Sequence, residues 1–300
     1  MAGQSAPFAT LPIIKTMNGA SALWGNLAMM VRAFAPDRRS AVWAHPDKPA
    51  LVQGAKLGQR RDMTHLTALV TGSSRGIGAA IAQSLRARGV QVIGHATRAV
   101  DASTIAADLT DPTAPSTIWD QALERAGGRI DLLVNNAGLF QANPIGLSDI
   151  EWLDNWEDTL RINLTAAAEL SRLAVRHWLE GERGGRVVHI ASRAAYRGDS
   201  PDHWHYAAAK AGMIGLHKTI ARHYASKGIM SYAICPGFTD TAMAGDYLAS
   251  RGGPGLLADI PLGRVAQPEE IATMATFCAL DAPESMTGAV LDANGASFVR

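Results

Sequence analysis

Cysteine is almost missing from this chain of 300 residues, which has only Cys235 and Cys278. Two thiols in unlike contexts exclude a disulfide scaffold and any CxxC metal or redox site. They read as small buried hydrophobes of a reducing compartment. Aromatic residues make up 6% and charged residues 18%, while 47% are hydrophobic. That balance excludes a disordered or collagen-like chain and leaves a soluble globular one. Neither charge sign is in excess, with 28 basic and 27 acidic side chains. Residues 1–62 hold eight of the basic and three of the acidic ones, leaving 20 and 24 for the remainder. An acidic body lacks the clustered basic face that nucleic acid requires. Long hydrophobic runs are absent too. The best, 20–31, is broken by Ser21 and Asn26 and falls short of the roughly 18 apolar residues that span a membrane. A cytoplasmic protein without a membrane partner is the expectation.

The texture changes near Met63. Before it, glycine and proline are scattered and only 23–34 suggests a short amphipathic helix, with Leu23, Leu27, Met30 and Phe34 on one face. After it, short apolar runs at 66–70, 90–94, 130–134, 186–190, 229–234 and 289–291 read as strands, with a weaker one before Asp108. Helical patterns at 77–88, 115–125, 150–179, 206–226 and 268–280 separate them. Such alternation predicts βαβ units in a doubly wound α/β fold, a Rossmann-type seven-stranded parallel sheet with helices on both faces. The seven tryptophans lack regular spacing and read as packing residues.

The first strand runs into Thr71-Gly72-Ser73-Ser74-Arg75-Gly76-Ile77-Gly78, and a helix follows. Glycines there let the backbone turn sharply and approach a pyrophosphate, and the helix N-terminus offers N–H groups to the anion. Further signals follow in order: Asn135-Asn136-Ala137-Gly138 after the fourth strand, Asn163 in the next long helix, and Ser192 past the fifth strand. Tyr206-Ala207-Ala208-Ala209-Lys210 comes next, and Pro236-Gly237-Phe238-Thr239-Asp240-Thr241 follows the sixth strand. With this set the chain resembles the short-chain dehydrogenase/reductase family, and within it most of all the bacterial 3-oxoacyl-[acyl-carrier-protein] reductases.

Tyr206 and Lys210 are four residues apart on a predicted helix, so they share a face. An ammonium beside a phenol favours phenolate, so Lys210 is expected to lower the pKa of Tyr206, the general acid/base for a ketone/alcohol pair. Ser192 is expected to hydrogen-bond the substrate oxygen. The resemblance implies that Lys210 also bonds the nicotinamide ribose and that Asn163 holds a water linking Lys210 to solvent. It implies a cofactor site built from Gly72, Ser74, Arg75, Gly76, Ile77, Gly78, Thr97, Arg98, Asp108, Leu109, Asn136, Ala137, Gly138, Tyr206, Lys210, Pro236, Gly237, Thr239 and Thr241. The second strand ends Gly94-His95-Ala96-Thr97-Arg98 without the acid that would bind a ribose 2′-hydroxyl, and Asp101 comes too late. Arg75 and Arg98 suit a 2′-phosphate, so NADP(H) is favoured over NAD(H).

The substrate is less legible. A small ketone or alcohol, or an acyl thioester, fits the chemistry. Arg183 and Lys227 are placed to meet an acidic carrier protein near the active-site entrance. Yet Ser192 to Tyr206 is 14 residues, one longer than is usual in the reductases it resembles, and 193–205 is rich in polar side chains. A sugar, polyketide or steroid ketone therefore stays open, as does a cofactor-binding protein without catalysis. His203 and His205 lack a third metal ligand in sequence and are expected to line or cover the substrate mouth. Residues 63–300 read as one catalytic domain, and 1–62 as an extension that is poorly ordered or not native, with Met63 the natural start. The long helices at 150–179 and 206–226 carry surplus apolar surface, and the resemblance implies a homotetramer.

Overall fold

The computed structural model describes residues 66–241 and 253–300. The expectations for 1–62 and for a start at Met63 lie outside the described residues.

Seven parallel strands form one sheet: β1 (Thr67–Thr71), β2 (Gln91–Ala96), β3 (Thr104–Ala106), β4 (Leu132–Asn135), β5 (Gly185–Ile190), β6 (Ile229–Pro236) and β7 (Val290–Ala293). Their order is β3-β2-β1-β4-β5-β6-β7, so the order reverses between β1 and β4, where ligands bind in such sheets. The helices are α1 (Gly76–Ala87), α2 (Ala114–Arg125), α3 (Asp149–Leu160), α4 (Ala166–Glu180), α5 (Ala194–Arg197), α6 (Trp204–Tyr224), α7 (Gly253–Ala258) and α8 (Pro268–Thr276).

Strands β1, β4, β5 and β6 are buried along their whole length, which is why they read as unbroken apolar runs. Successive residues still serve opposite faces. Val70 and Val134 pack with Ile81, Leu85, Ile271 and Ala275, whereas Leu69 and Leu133 pack with Ile118, Trp119, Leu170 and Trp178. The two clusters are the two layers of helices on the sheet, and each fully buried Leu or Ile contributes about 1.5–3 kcal/mol. Cys235 and Cys278 are buried free thiols.

Trp178 shows how tightly the second layer closes. Its indole N–H donates to the Ile130 carbonyl at 2.7 Å, and its ring lies over Gly185, where a Cβ would collide with it. Gly185→Ala is expected to cost about 1–3 kcal/mol through overpacking; urea denaturation reads it, and an unchanged midpoint would remove this reason for the glycine.

Two predicted helices are interrupted. The pattern at 150–179 is α3 and α4 joined by a π-helical turn, Arg161–Thr165. That at 268–280 is α8 running into a second π turn, Phe277–Asp281. A π turn inserts one residue into the hydrogen-bond register and tends to mark functional positions; the first one carries Asn163. The short α5 and α7 have too few residues to show a period. The tryptophans are not all packing residues: Trp178 and Trp119 are buried, but Trp204 is 56% exposed.

Candidate active site

Because all strands run the same way, Gly72, Asn135, Ser192 and Pro236 stand on one edge, at or just past the carboxyl ends of β1, β4, β5 and β6. There a cavity of about 400 Å³ opens.

Its floor is the glycine turn. Gly72 and Gly76 take φ of 64° and 55°, where side chains other than glycine are strained. A Cβ on Gly78 would strike the Gly72 carbonyl and the Asn136 amide. Asn136 closes the turn by donating from Nδ2 to the carbonyls of Thr71 at 2.9 Å and Gly72 at 3.0 Å. The Thr71 hydroxyl accepts from the N–H groups of Asn136 and Ala137, both at 3.0 Å. No side chain caps the N-terminus of α1, so its first N–H groups face the cavity edge. A backbone cradle without Cβ atoms beneath an uncapped helix fits a dinucleotide pyrophosphate.

Every residue expected to bind cofactor lines this cavity except Arg98, which is exposed at the end of the β2 loop. Thr97 follows β2, Asp108 and Leu109 follow β3, and Pro236, Gly237, Thr239 and Thr241 stand at the end of β6; all line the wall with Arg75. Asp101 is occupied elsewhere: its carboxylate accepts from Ser103 N–H at 2.9 Å, Ser103 Oγ at 2.8 Å and Thr104 Oγ1 at 2.7 Å. The sequence reading overlooked His95, Leu139, Phe140, Arg193, Asp199 and Phe238, all of which line the cavity. His95 ties the cradle together. Its Nδ1 accepts from the Gly72 N–H at 3.4 Å, and its Nε2 lies 3.1 Å from the Ala107 carbonyl. Its place at the end of β2 was the available signal. The others reach the cavity only through tertiary packing.

Ser192 and Tyr206 line the same cavity. The Ser192 side chain lies beside the Tyr206 phenol, where it favours the ionised form, and accepts the Ala194 N–H at 3.1 Å. Lys210, one turn along α6, is buried; its Nζ donates to the Ile190 carbonyl at 2.8 Å and lies 5.7 Å from the centre of the Tyr206 ring. Asn163 stands behind, fully buried. Its Oδ1 accepts from the Leu139 N–H at 2.6 Å and its Nδ2 donates to the Leu139 carbonyl at 2.8 Å. A Cβ on Gly138 would lie 3.0 Å from Asn163 Oδ1 and 3.6 Å from Lys210 Nζ, so that glycine lets the amide and the ammonium converge.

The electrostatics correct one expectation. The Tyr206 pKa is not lowered by its lysine: burial raises it to about 12, against the opposing influence of Ser192 and with a small push from the charge of Asp199. Burial also lowers Lys210 to about 8. Both groups lose more hydration than they gain from each other, because the ammonium points at the Ile190 carbonyl rather than at the phenol oxygen. Near neutral pH Tyr206 is therefore a protonated phenol, a donor rather than a base.

Two other expectations change. His203 and His205 do not line the mouth; both are buried and absent from the cavity wall. His203 stacks 4.0 Å from Phe140, and Phe140 meets Tyr206 in a T-shaped contact at 4.8 Å. Among the described residues no three His, Cys, Asp or Glu side chains come together as a metal site would need. Arg183 and Lys227 precede β5 and β6, so they stand at the amino ends of those strands, on the edge away from the cavity.

Comparison with known proteins agrees with this geometry. The family model described as enoyl-(acyl carrier protein) reductase matches residues 72–295. The 3-oxoacyl-[acyl-carrier-protein] reductase of Escherichia coli (strain K12) is 37% identical over 244 residues, 77% of this chain and 97% of the relative. Nodulation protein G of Rhizobium sp. (strain N33) is 34% identical over 245 residues, 78% and 97% of the two chains. The chain belongs to the short-chain dehydrogenase/reductase family. As a short-chain dehydrogenase/reductase it is an NAD(P)-dependent oxidoreductase. Among solved structures, a putative NAD(P) dependent gluconate 5-dehydrogenase from Beutenbergia cavernae with bound NADP aligns with a TM-score of 0.70 at 33% identity, covering 77% of this chain and 96% of that one. A putative 2-deoxy-d-gluconate 3-dehydrogenase from Agrobacterium tumefaciens with bound NADP aligns with a TM-score of 0.70 at 30% identity, covering 80% and 99%. No helix among the described residues is long and apolar enough to cross a membrane.

Proposed function

We propose that this short-chain dehydrogenase/reductase reduces a ketone to a secondary alcohol with NADPH, working in the cytoplasm. The observation that carries the reading is the convergence of Ser192, Tyr206 and Lys210 on one cavity wall, with Lys210 buried. The bound dihydronicotinamide supplies the hydride. Ser192 Oγ donates to the substrate oxygen and stabilises the charge that develops there. Tyr206 gives that oxygen its phenolic proton, which burial holds in place at neutral pH. Lys210 supplies positive charge behind the phenol as the proton leaves. The Asn163 amide pins Leu139, and each of its ends keeps one further hydrogen-bonding capacity, which a relay water beside Lys210 would use.

Arg75 at the cavity and the commitment of Asp101 to its own turn support NADPH, as do the NADP-bound neighbours. Arg75→Ala is expected to lower the NADPH-to-NADH ratio of kcat/KM about 10–100-fold, the worth of one charge-assisted bond. Arg98→Asp acts in the same direction from the loop. An unchanged ratio in both variants would shift the preference to other groups.

A ketone panel with NADPH oxidation followed by absorbance tests the function, and no turnover with any member would return the chain to a cofactor-binding role. The relatives' names favour a 3-oxoacyl thioester. Arg183 and Lys227, standing away from the mouth, withdraw the support that sequence lent to a carrier protein, and the neighbours' names point to sugar acids instead. Residues 63–300 act as one catalytic domain. The assembly is a homotetramer, in which apolar side chains on α3 and at the start of α6 are covered: Ile150 is 74%, Leu153 51% and Trp204 56% exposed in the single chain. Light scattering at micromolar concentration is expected to give four times the monomer mass; a monomer rejects this.

A further inference from the structure

Ser192 is followed by Arg193, a residue that the reaction as derived does not use. Arg193 is only 9% exposed, yet it lines the cavity with Ser192, Tyr206 and Phe238. Its position is held twice. The main-chain N–H donates to the Pro236 carbonyl at 3.0 Å, tying the ends of β5 and β6 together. The guanidinium lies over the Phe238 ring, with Cζ 4.7 Å from the ring centre. Stacking uses the flat face of the group, whereas its N–H donors lie in the plane. A second charge enters from the same segment. The chain turns at Gly198, φ 76°, and this brings Asp199 to the cavity wall on the side of Tyr206, whose phenol feels its charge. A cation and an anion thus line the cavity that holds the reacting centre, a poor lining for an acyl chain and a suitable one for a short polar molecule. A planar guanidinium on an aromatic platform is the side chain best matched to a carboxylate.

We infer that Arg193 is a specificity residue, and that the substrate is a short ketone carrying a carboxylate that Arg193 binds. Asp199 faces the other end of the molecule and accepts from its hydroxyl groups. This deepens the proposed function and rests on it.

The test compares matched pairs that differ only in charge: acetoacetate and 4-oxopentanoate against their methyl esters, with NADPH. The wild type is expected to prefer the acids. Arg193→Met is expected to reduce the acid-to-ester ratio of kcat/KM about 100-fold, mainly through KM, and Arg193→Lys to keep part of it. In parallel, thermal shifts of the protein saturated with NADP+ read binding without turnover: the acids should raise Tm in the wild type and not in Arg193→Met. Equal losses on acid and ester would make Arg193 a scaffold residue and overturn the inference, as would a wild type that prefers the esters. No Tm shift with either acid would overturn it too. If no ketone turns over while the acids still raise Tm in an Arg193-dependent way, the reductase reading fails and the anion site stands.

Discussion

Tyr206→Phe is expected to lose turnover by about 10³-fold or more while NADPH binds as in the wild type. The variant keeps the ring that meets Phe140 edge-on and leaves the glycine cradle untouched, so the dinucleotide site is preserved. What disappears is the hydroxyl on the cavity wall beside Ser192 and with it the proton for the substrate oxygen. Fluorescence titration with NADPH separates binding from chemistry. Activity within tenfold of the wild type would remove Tyr206 from the acid role.

Lys210→Met should show the opposite effects on activity and stability. Turnover is expected to fall at least about 100-fold, because positive charge behind the phenol is lost. Stability at pH 7 is expected to rise by about 2 kcal/mol. Burial lowers the lysine from 10.5 to about 8, and each pKa unit corresponds to about 1.36 kcal/mol; the broken bond to the Ile190 carbonyl returns about 1 kcal/mol of that. The sign follows from proton binding. Between pH 8 and 10.5 the unfolded chain holds more protons at this site than the folded one, so wild-type stability rises with pH there. The penalty is complete below pH 8 and gone above 10.5. The advantage of the methionine variant should therefore be full at pH 7 and vanish across that window. Denaturation curves at several pH values check it; an advantage independent of pH would place the effect in packing instead.

Features whose cause is local or periodic were legible in the amino-acid order alone. Apolar runs buried on both faces announced the parallel strands, since burial on two sides leaves no polar alternation to hide them. The glycine turn was legible because positive φ and close backbone approach admit few residues other than glycine at Gly72, Gly76 and Gly78. Tyr206 and Lys210 share a helix face by spacing alone. Whatever depends on contacts between distant segments emerged only on folding. The π turn at Asn163 shifts a hydrogen-bond register without leaving any mark on the apolar period. His95, Arg193, Asp199 and Phe238 converge because the ends of β2, β5 and β6 meet at one sheet edge, and Arg183 and Lys227 were carried to the other edge by the same strands. The charge states of Tyr206 and Lys210 were set there as well. Sequence spacing shows which groups are neighbours, but their proton affinities follow from how much water folding removes and where each hydrogen bond points.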